Sequence, residues 1–340
     1  MFKPENGVSI ALQSLPPTLA RLCLDVERFI LELLGERAQG LRLNAAASGG
    51  LDSTALTVIL HCLSPRLNLH IHCVHLDHGL RPESGLDCDA ARALANRLGL
   101  PFLSESRNVA GYAEKRGMGL EEAGRIVRYE FFARAREATQ ADYTALAHHL
   151  DDQAEDVLMR LIRGAGWPGL AGMDACDPER RILRPLLEIE KSRLRALLEA
   201  VGAPWREDAS NRNRAFLRNR VRLDILPLIR DENPSFPEAA GRLAALGRME
   251  RDMDADLANR SMQRQDDGSL FIGAETLTGL HPALRMRLYK QALSQLGPGQ
   301  TWLENLRRLA SASVGAVVQF PGGKRARVLK NGVKFYLDHR

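Results

Sequence analysis

The sequence predicts an α/β protein: a parallel sheet with helices on both faces, then a smaller all-helical domain and a terminal hairpin. Three observations lead there. Between residues 17 and 162, short apolar runs alternate with segments whose apolar residues recur at helical spacing, the pattern of strand–helix–strand units. From residue 237 to about 310 the spacing is helical almost throughout, with a polar turn at 265–269 and a break at Gly297-Pro298-Gly299. Residues 319–337 read as two strands joined at Lys330-Asn331-Gly332, a hairpin turn signal.

Taken in order, Leu22, Val26, Phe29, Ile30 and Leu33 put one apolar face on a helix over 17–34. Residues 41–47 form the first strand, small and alanine-rich where a buried parallel strand is usually β-branched. A helix-like run at 56–63 follows, then a strand at 69–76 and a helix at 85–98 ended by Gly99. A short strand at 101–103 leads to a strong helix at 120–138, a strand at 143–147 and a helix at 151–162. The run Gly164 to Gly172 is too rich in Gly and Pro for either element and reads as an ordered loop. A helix at 189–201 and an arginine-rich segment at 205–230 complete the first part. These changes of texture predict domains at 1–232, 233–312 and 313–340. In open parallel sheets, ligands bind at the carboxyl ends of the strands. The loops after Ala47, Leu76 and Ala147 are therefore expected to share one crevice.

The chain of 340 residues is 45% hydrophobic and 26% charged, enough apolar material for a large core. A net charge of +5 permits a nucleic-acid partner without requiring one. Its five cysteines are scattered with no C-x-x-C pair, which speaks against a zinc or iron–sulfur framework and for a reducing compartment. Neither a signal-peptide pattern nor an apolar run of bilayer length is present, so a cytoplasmic protein is expected.

Three polar motifs occupy the predicted crevice loops. Ser48-Gly49-Gly50-Leu51-Asp52-Ser53 lies between a strand and a helix, where free backbone N–H groups and short hydroxyls suit an anion. It lacks the lysine of a Walker loop and is not the G-x-G-x-x-G fingerprint. His75-Leu76-Asp77-His78-Gly79-Leu80-Arg81 clusters ionisable groups at a strand end. It is a solvated turn or part of a site, and zinc is the weaker reading because further ligands are not evident. In His148-His149-Leu150-Asp151-Asp152-Gln153-Ala154-Glu155, an Asp suits the helix N-cap, while Asp152 and Glu155 share one face of the first turn. Such an acid pair suits holding an amine or metal and accepting a proton. Arg125 and Arg128, three apart, are either surface charges or a phosphate clamp. The segment from Arg206 to Arg222 strings arginines along a loop and helix with Asn side chains and Phe216 between them, suited to a phosphate backbone.

The S-G-G-x-D-S form resembles the PP-loop of ATP pyrophosphatases, which split ATP into AMP and pyrophosphate. Five stretches in order (S-G-G-L-D-S, H-L-D-H-G-L-R, E-E-A-G-R-I-V-R-Y, A-H-H-L-D-D-Q-A-E with R-L-I-R-G-A-G, and E-D-A-S-N…R-N-R-V-R) resemble the tRNA(Ile)-lysidine synthetase family, over roughly residues 41–228. The resemblance implies an adenine nucleotide alpha-hydrolase-like, Rossmann-like first domain. It implies ligation of free lysine to the wobble cytidine of the CAU-anticodon isoleucine tRNA, through an adenylated tRNA, with ATP and Mg²⁺. Carried onto this chain, it makes Ser48, Gly49, Gly50, Leu51, Asp52 and Ser53 the ATP loop, and Asp52, Arg125, Asp152 and Glu155 the catalytic candidates. Arg212, Arg214, Arg218 and Arg220 become candidates for tRNA contacts. The rivals are another PP-loop enzyme, such as a thiolase or amide-forming synthetase, or a non-catalytic RNA-binding protein.

Overall fold

A computed structural model describes residues 10–79, 84–207, 214–299 and 301–338. The chain forms two compact units, residues 1–245 and 246–340.

The first unit is built on six strands: β1 Arg42–Ala46, β2 His70–Asp77, β3 Phe102–Ser106, β4 Tyr143–Ala145, β5 Cys176–Asp177 and β6 Ile182–Leu183. Their order is β3-β2-β1-β4-β6-β5, parallel except for the edge pair β5–β6. The order reverses between β1 and β4, so the loop after β1 opens at the topological switch point.

Helices cover both faces. On one side α1 Pro17–Leu34, α2 Leu51–Leu67, α3 Ser84–Leu98 and α7 Lys191–Ala200 bury Leu22, Ile30, Leu56, Ile59, Leu63, Leu98 and Leu197 against Leu43, Ala45 and Ile71. Helix α2 is apolar nearly all round and buried accordingly; it starts at Leu51, earlier than the sequence pattern implied. The small residues of β1 let it pass close beneath. On the other face α5 Leu120–Thr139 packs Phe131 and Phe132 on Val74, Leu146 and Ile182. A helix the spacing did not reveal, α4 Val109–Arg116, is capped by Asn108 and packs Val109 and Ala113 on Ala123 and Val127 of α5. Its two short apolar contacts are too few for a periodic signal.

After α6 Leu150–Ile162 and α7, the arginine-rich segment becomes α8 Leu217–Arg220, a π-helical turn Val221–Ile225 and α9 Leu226–Glu232. Pro227 explains the widened turn: it has no N–H to donate and its ring crowds the carbonyl one turn back. Val221 and Leu226 pack with Val157 and Leu158 of α6, joined by Ala240 of α10 Phe236–Ser261.

The units divide within α10, beyond the boundary expected near residue 232, because its first turns still feed the core of the first unit. In the second unit the expected helices are present: the end of α10, α11 Ala274–Gly279, α12 Pro282–Gln295 and α13 Leu303–Ala310. Helix is not the whole of it, however. The polar stretch 265–269 turns a hairpin between β7 Met262–Arg264 and β8 Leu270–Gly273. These strands join the terminal strands β9 Val317–Phe320, β10 Lys324–Leu329 and β11 Gly332–Leu337 in one antiparallel sheet, β7-β8-β11-β10-β9. The helices and the terminal hairpin therefore share a core of Leu270, Ile272, Tyr289, Leu293, Leu306, Phe320 and Phe335, rather than forming separate domains. The hairpin turns at Lys330-Asn331, and Gly332 is required there, since a Cβ would lie 2.1 Å from the Ile272 carbonyl oxygen.

Among the described residues no helix is long and apolar enough to cross a membrane. All five cysteines are free thiols.

Candidate active site

The carboxyl ends of β1, β2 and β4 open into a cavity of about 410 Å³. Its wall includes Ser48, Asp52 and Ser53 from the first loop, His78 from the second, His148 and Asp152 from the third, Arg128 from α5, and Arg218 and Arg222 from the α8 region.

The Ser48–Ser53 loop is held in shape before anything binds. The Ser48 N–H donates to Ser53 Oγ at 3.1 Å, the two hydroxyls lie 3.0 Å apart, and Ser53 Oγ donates to the Gly50 carbonyl at 3.0 Å. Gly49 has φ +80°, and a Cβ there would stand 2.8 Å from the Asp87 carbonyl oxygen. Only glycine fits both demands. Arg206 clamps the loop from outside, donating its backbone N–H to Gly49 O at 3.0 Å and its Nε to Asp87 at 2.8 Å. His75 Nδ1 lies 2.7 Å from the Ala47 carbonyl, tying the end of β2 to the loop entry. Gly50 precedes α2, so the helix N-terminus with its free N–H groups faces the cavity side. Leu51 is buried in the core and contributes packing.

Asp52 begins a charged network that the sequence did not reveal. Its Oδ2 is 3.2 Å from Lys191 Nζ and 3.6 Å from His149 Nε2, while its Oδ1 is buried without a hydrogen-bond partner. His149, 1% exposed, is also 3.4 Å from a carboxylate oxygen of Asp151 and of Asp152. Burial alone would lower its pKa, but the Asp152, Asp151 and Asp52 carboxylates outweigh it and push it up to about 9. Burial opposes ionisation of Asp52 too, yet His149 and Lys191 hold it below the usual carboxylate range. Two other histidines are the reverse case: burial pushes His148 down to about 3, and burial with neighbouring Arg128 pushes His78 down to about 4.

The acid pair is present and deeply buried, with Asp152 at 7% and Glu155 at 1% exposure, but it is not vacant. Asp152 Oδ1 accepts from Arg218 at 2.7 Å and Arg222 at 3.0 Å, and its Oδ2 accepts the His149 N–H at 3.0 Å. Glu155 accepts from Arg218 Nε at 2.9 Å and from Arg222 Nε and Nη2 at 2.6 and 3.0 Å. Burial would raise the Asp152 pKa, but His149, Arg218 and Arg222 hold it well below the usual range. Such a carboxylate holds a cation well and accepts a proton poorly. The base role anticipated for the pair therefore does not suit Asp152.

Helical spacing divides the arginine-rich segment. Arg218 and Arg222, four apart, turn inward to the acids, so Arg218 is spent on the cleft rather than displayed on the surface. Arg214 and Arg220 are exposed; Arg214 pairs with Asp224 at 2.9 Å, and Arg220 donates to the carbonyls of Arg214 and Ala215. Arg212 lies outside the described residues, as do Leu80 and Arg81 of the second motif. Arg125 stands exposed, its guanidinium 5.3 Å from the Tyr129 ring centre. Arg128 is exposed to water as well, but it is the one of the two on the cavity wall, and it has no carboxylate partner among the described residues. The protein packed around it and the like charges of Arg125 and Arg218 lower its pKa from the arginine value, leaving a cation that an anion in the cavity would match. Arg222, His149 and Lys191 were the residues sequence reasoning left unassigned. Arg222 follows Arg218 by one helical turn, which is a usable signal, whereas Lys191 reaches Asp52 from 139 residues away and has none.

The arrangement suits phosphate at one end and an ammonium at the other. Residues 23–229 match the PP-loop domain family. A tRNA(Ile)-lysidine synthase of Nitratidesulfovibrio vulgaris is 42% identical over 327 residues, 88% of this chain and 94% of the relative. The enzymes of the same name from Geobacter sulfurreducens and Thermus thermophilus are 39% and 37% identical over 75% and 87% of this chain. The matched regions span 55% and 56% of those two longer relatives. Among solved structures, a U34-tRNA thiolase from Methanococcus maripaludis superposes with a TM-score of 0.55 at 18% identity, over 66% of this chain and 78% of that one, a likeness of fold.

Proposed function

This chain belongs to the tRNA(Ile)-lysidine synthase family of PP-loop enzymes, ATP-using carbon–nitrogen ligases that modify tRNA, and on that premise we propose how its cleft acts. Its substrates are ATP, free L-lysine and the isoleucine tRNA with a CAU anticodon. The cytidine O2 attacks the α-phosphorus of ATP, and the bond to the β-phosphate breaks with loss of pyrophosphate. The lysine ε-ammonium gives up a proton to water, its freed lone pair attacks C2, the C2–O2 bond breaks and AMP departs with that oxygen, and the newly bonded nitrogen loses a second proton to solvent. A pyrimidine carbonyl oxygen leaves poorly, which is why it is activated first.

The observation that carries this reading is the meeting of three features in one cavity: the preformed Ser48–Ser53 loop, Arg128 with no carboxylate partner among the described residues, and Asp152, the cavity-facing member of the acid pair with Glu155 behind it. The loop, with the α2 N-terminus, would bind the departing pyrophosphate. Arg128 would offset charge on the α-phosphate, a role its position supports better than that of Arg125. Asp152 and Glu155 would hold the lysine ammonium, which arrives protonated at a reference pKa of about 10.4. Arg214 and Arg220, exposed beside the cleft, would contact tRNA phosphates. Extruding the wobble base into the cavity brings O2 and C2 within reach.

Magnesium fits as a companion of the ATP phosphates. Asp52 Oδ1 is a buried hard oxygen without a donor, and the described residues contain no group of three ligating side chains to hold the ion by themselves. When bound there, the ion supplies charge neutralisation to the phosphates.

Incubation with ATP, labelled lysine and the CAU isoleucine tRNA tests the reading. Label is expected in the tRNA, and its absence would refute the assignment.

A further inference from the structure

The acid pair that the ligase reading gives to the lysine ammonium is already neutralised. Two carboxylates face two guanidiniums, and each of the four carboxylate oxygens accepts at least one hydrogen bond of 2.6–3.0 Å. An ammonium brought to this site finds every carboxylate oxygen already engaged and both acid charges already matched by guanidiniums. The guanidiniums lie on the solvent side: the Arg218 and Arg222 side chains are 33% and 27% exposed, against 10% for Asp152 and 2% for Glu155. They sit over the acids as a cover.

Resting on the ligase reading above, we propose that Arg218 and Arg222 stand in for the lysine ammonium in the nucleotide-free protein. Arg218 is handed over to phosphate when the nucleotide binds, so that lysine enters its seat only after ATP. Three features support the exchange. Arg218 lines the same cavity as Arg128, Ser48 and Ser53, with Asp152 on the same wall, so a phosphate bound there lies where it competes with the acid for Arg218. Arg128 and Arg218 are near enough to repel, and an anion between them relieves that repulsion. Arg218 stands in the first turn of a helical run over 217–232 that a π-helical turn widens at Val221–Ile225, and its side chain is a third exposed, so a change of rotamer moves the guanidinium without unmaking the helix. Once Arg218 leaves, Asp152 and Glu155 keep only one of their two guanidiniums, and the lysine ammonium replaces the charge that was lost. Nucleotide and lysine therefore help each other bind, and by linkage the help is equal in both directions.

The test is calorimetric titration of L-lysine into the full chain, alone and with saturating α,β-methylene ATP, which cannot be cleaved at that bond. Lysine should bind about tenfold more tightly with the analogue present, and equal affinities would overturn the proposal. Arg218→Met should raise nucleotide-free lysine affinity to the nucleotide-bound level of the native protein and abolish the dependence. Weaker lysine binding in both states would mean that Arg218 builds the lysine seat instead of covering it, and the proposal would fall. In the native protein, the Arg218 Nε–H resonance should move away from its carboxylate-bonded position when the analogue is added; an unmoved resonance is equally fatal and does not depend on the variant folding. Should the native protein transfer labelled lysine to tRNA while lysine affinity ignores nucleotide, the gating is wrong and the ligase reading stands. No transfer at all overturns both.

Discussion

Replacing Glu155 by Gln removes one unit of charge at the most enclosed point of the cleft while keeping its shape. Glu155 is 1% exposed and accepts three hydrogen bonds from Arg218 and Arg222. Removing one partner of a buried ion pair typically costs about 3–5 kcal/mol. Here both guanidiniums are about a third exposed and both keep Asp152 as a partner, so solvent and the remaining acid offset part of the loss. A destabilisation of about 2 kcal/mol results, which for a unit of this size lowers Tm by roughly 4–8 °C. The functional effect should separate by substrate. Glu155 does not line the cavity, so tRNA-dependent pyrophosphate release should stay within about twofold of native. The lysine ammonium loses a charge-assisted hydrogen bond worth about 1.5–3 kcal/mol, raising the lysine KM by roughly 10–100-fold. Thermal unfolding and separate assays of pyrophosphate release and lysine transfer measure all three quantities. An unchanged Tm together with an unchanged lysine KM would refute the assignment of Glu155 to both the ion-pair network and the lysine seat.

Four other outcomes follow from the same geometry. Gly49→Ala places a side chain at φ +80° and against the Asp87 carbonyl; it should cost about 1–3 kcal/mol locally and weaken ATP-analogue binding measured by calorimetry. Arg128→Met should reduce nucleotide affinity about tenfold or more without lowering Tm, because Arg128 has no carboxylate partner among the described residues; a marked loss of Tm would contradict that. His149 has a folded pKa raised to about 9 from 6.5, so its stabilisation is complete below pH 6.5 and is lost as pH rises through 9. The loss amounts to about 3 kcal/mol, and denaturant titrations from pH 6 to 10 should show it in the native protein but not in His149→Gln. Chelation with EDTA should stop pyrophosphate release while leaving Tm unchanged, since no cluster of three ligating side chains exists among the described residues to bind a structural ion; a fall in Tm would point to a resident metal.

Local chemistry determined a good deal from sequence alone. The alternation of strands and helices, the glycine-rich loop at the first strand end and the Asn-Gly hairpin turn are all written in neighbouring residues, because backbone conformation is set over a few positions. The three loop motifs could be placed at one crevice for the same reason: strand direction in a parallel sheet follows from connectivity. Composition and spacing could not say which charges neutralise which. Asp152 and Glu155 are recognisable as a pair on one helical turn, but Arg218 and Arg222 reach them from more than 60 residues away, and that pairing turns a candidate base into a held carboxylate. Lys191 and His149 converge on Asp52 by the same long-range route. The strand pair at 262–273 also escaped notice, because each strand is too short to show a period and exists by adding to the terminal hairpin. What the tertiary structure decided is thus the state of the site: burial lowers the dielectric around charges brought together from distant segments, and their mutual energies, absent in the extended chain, set protonation and pairing.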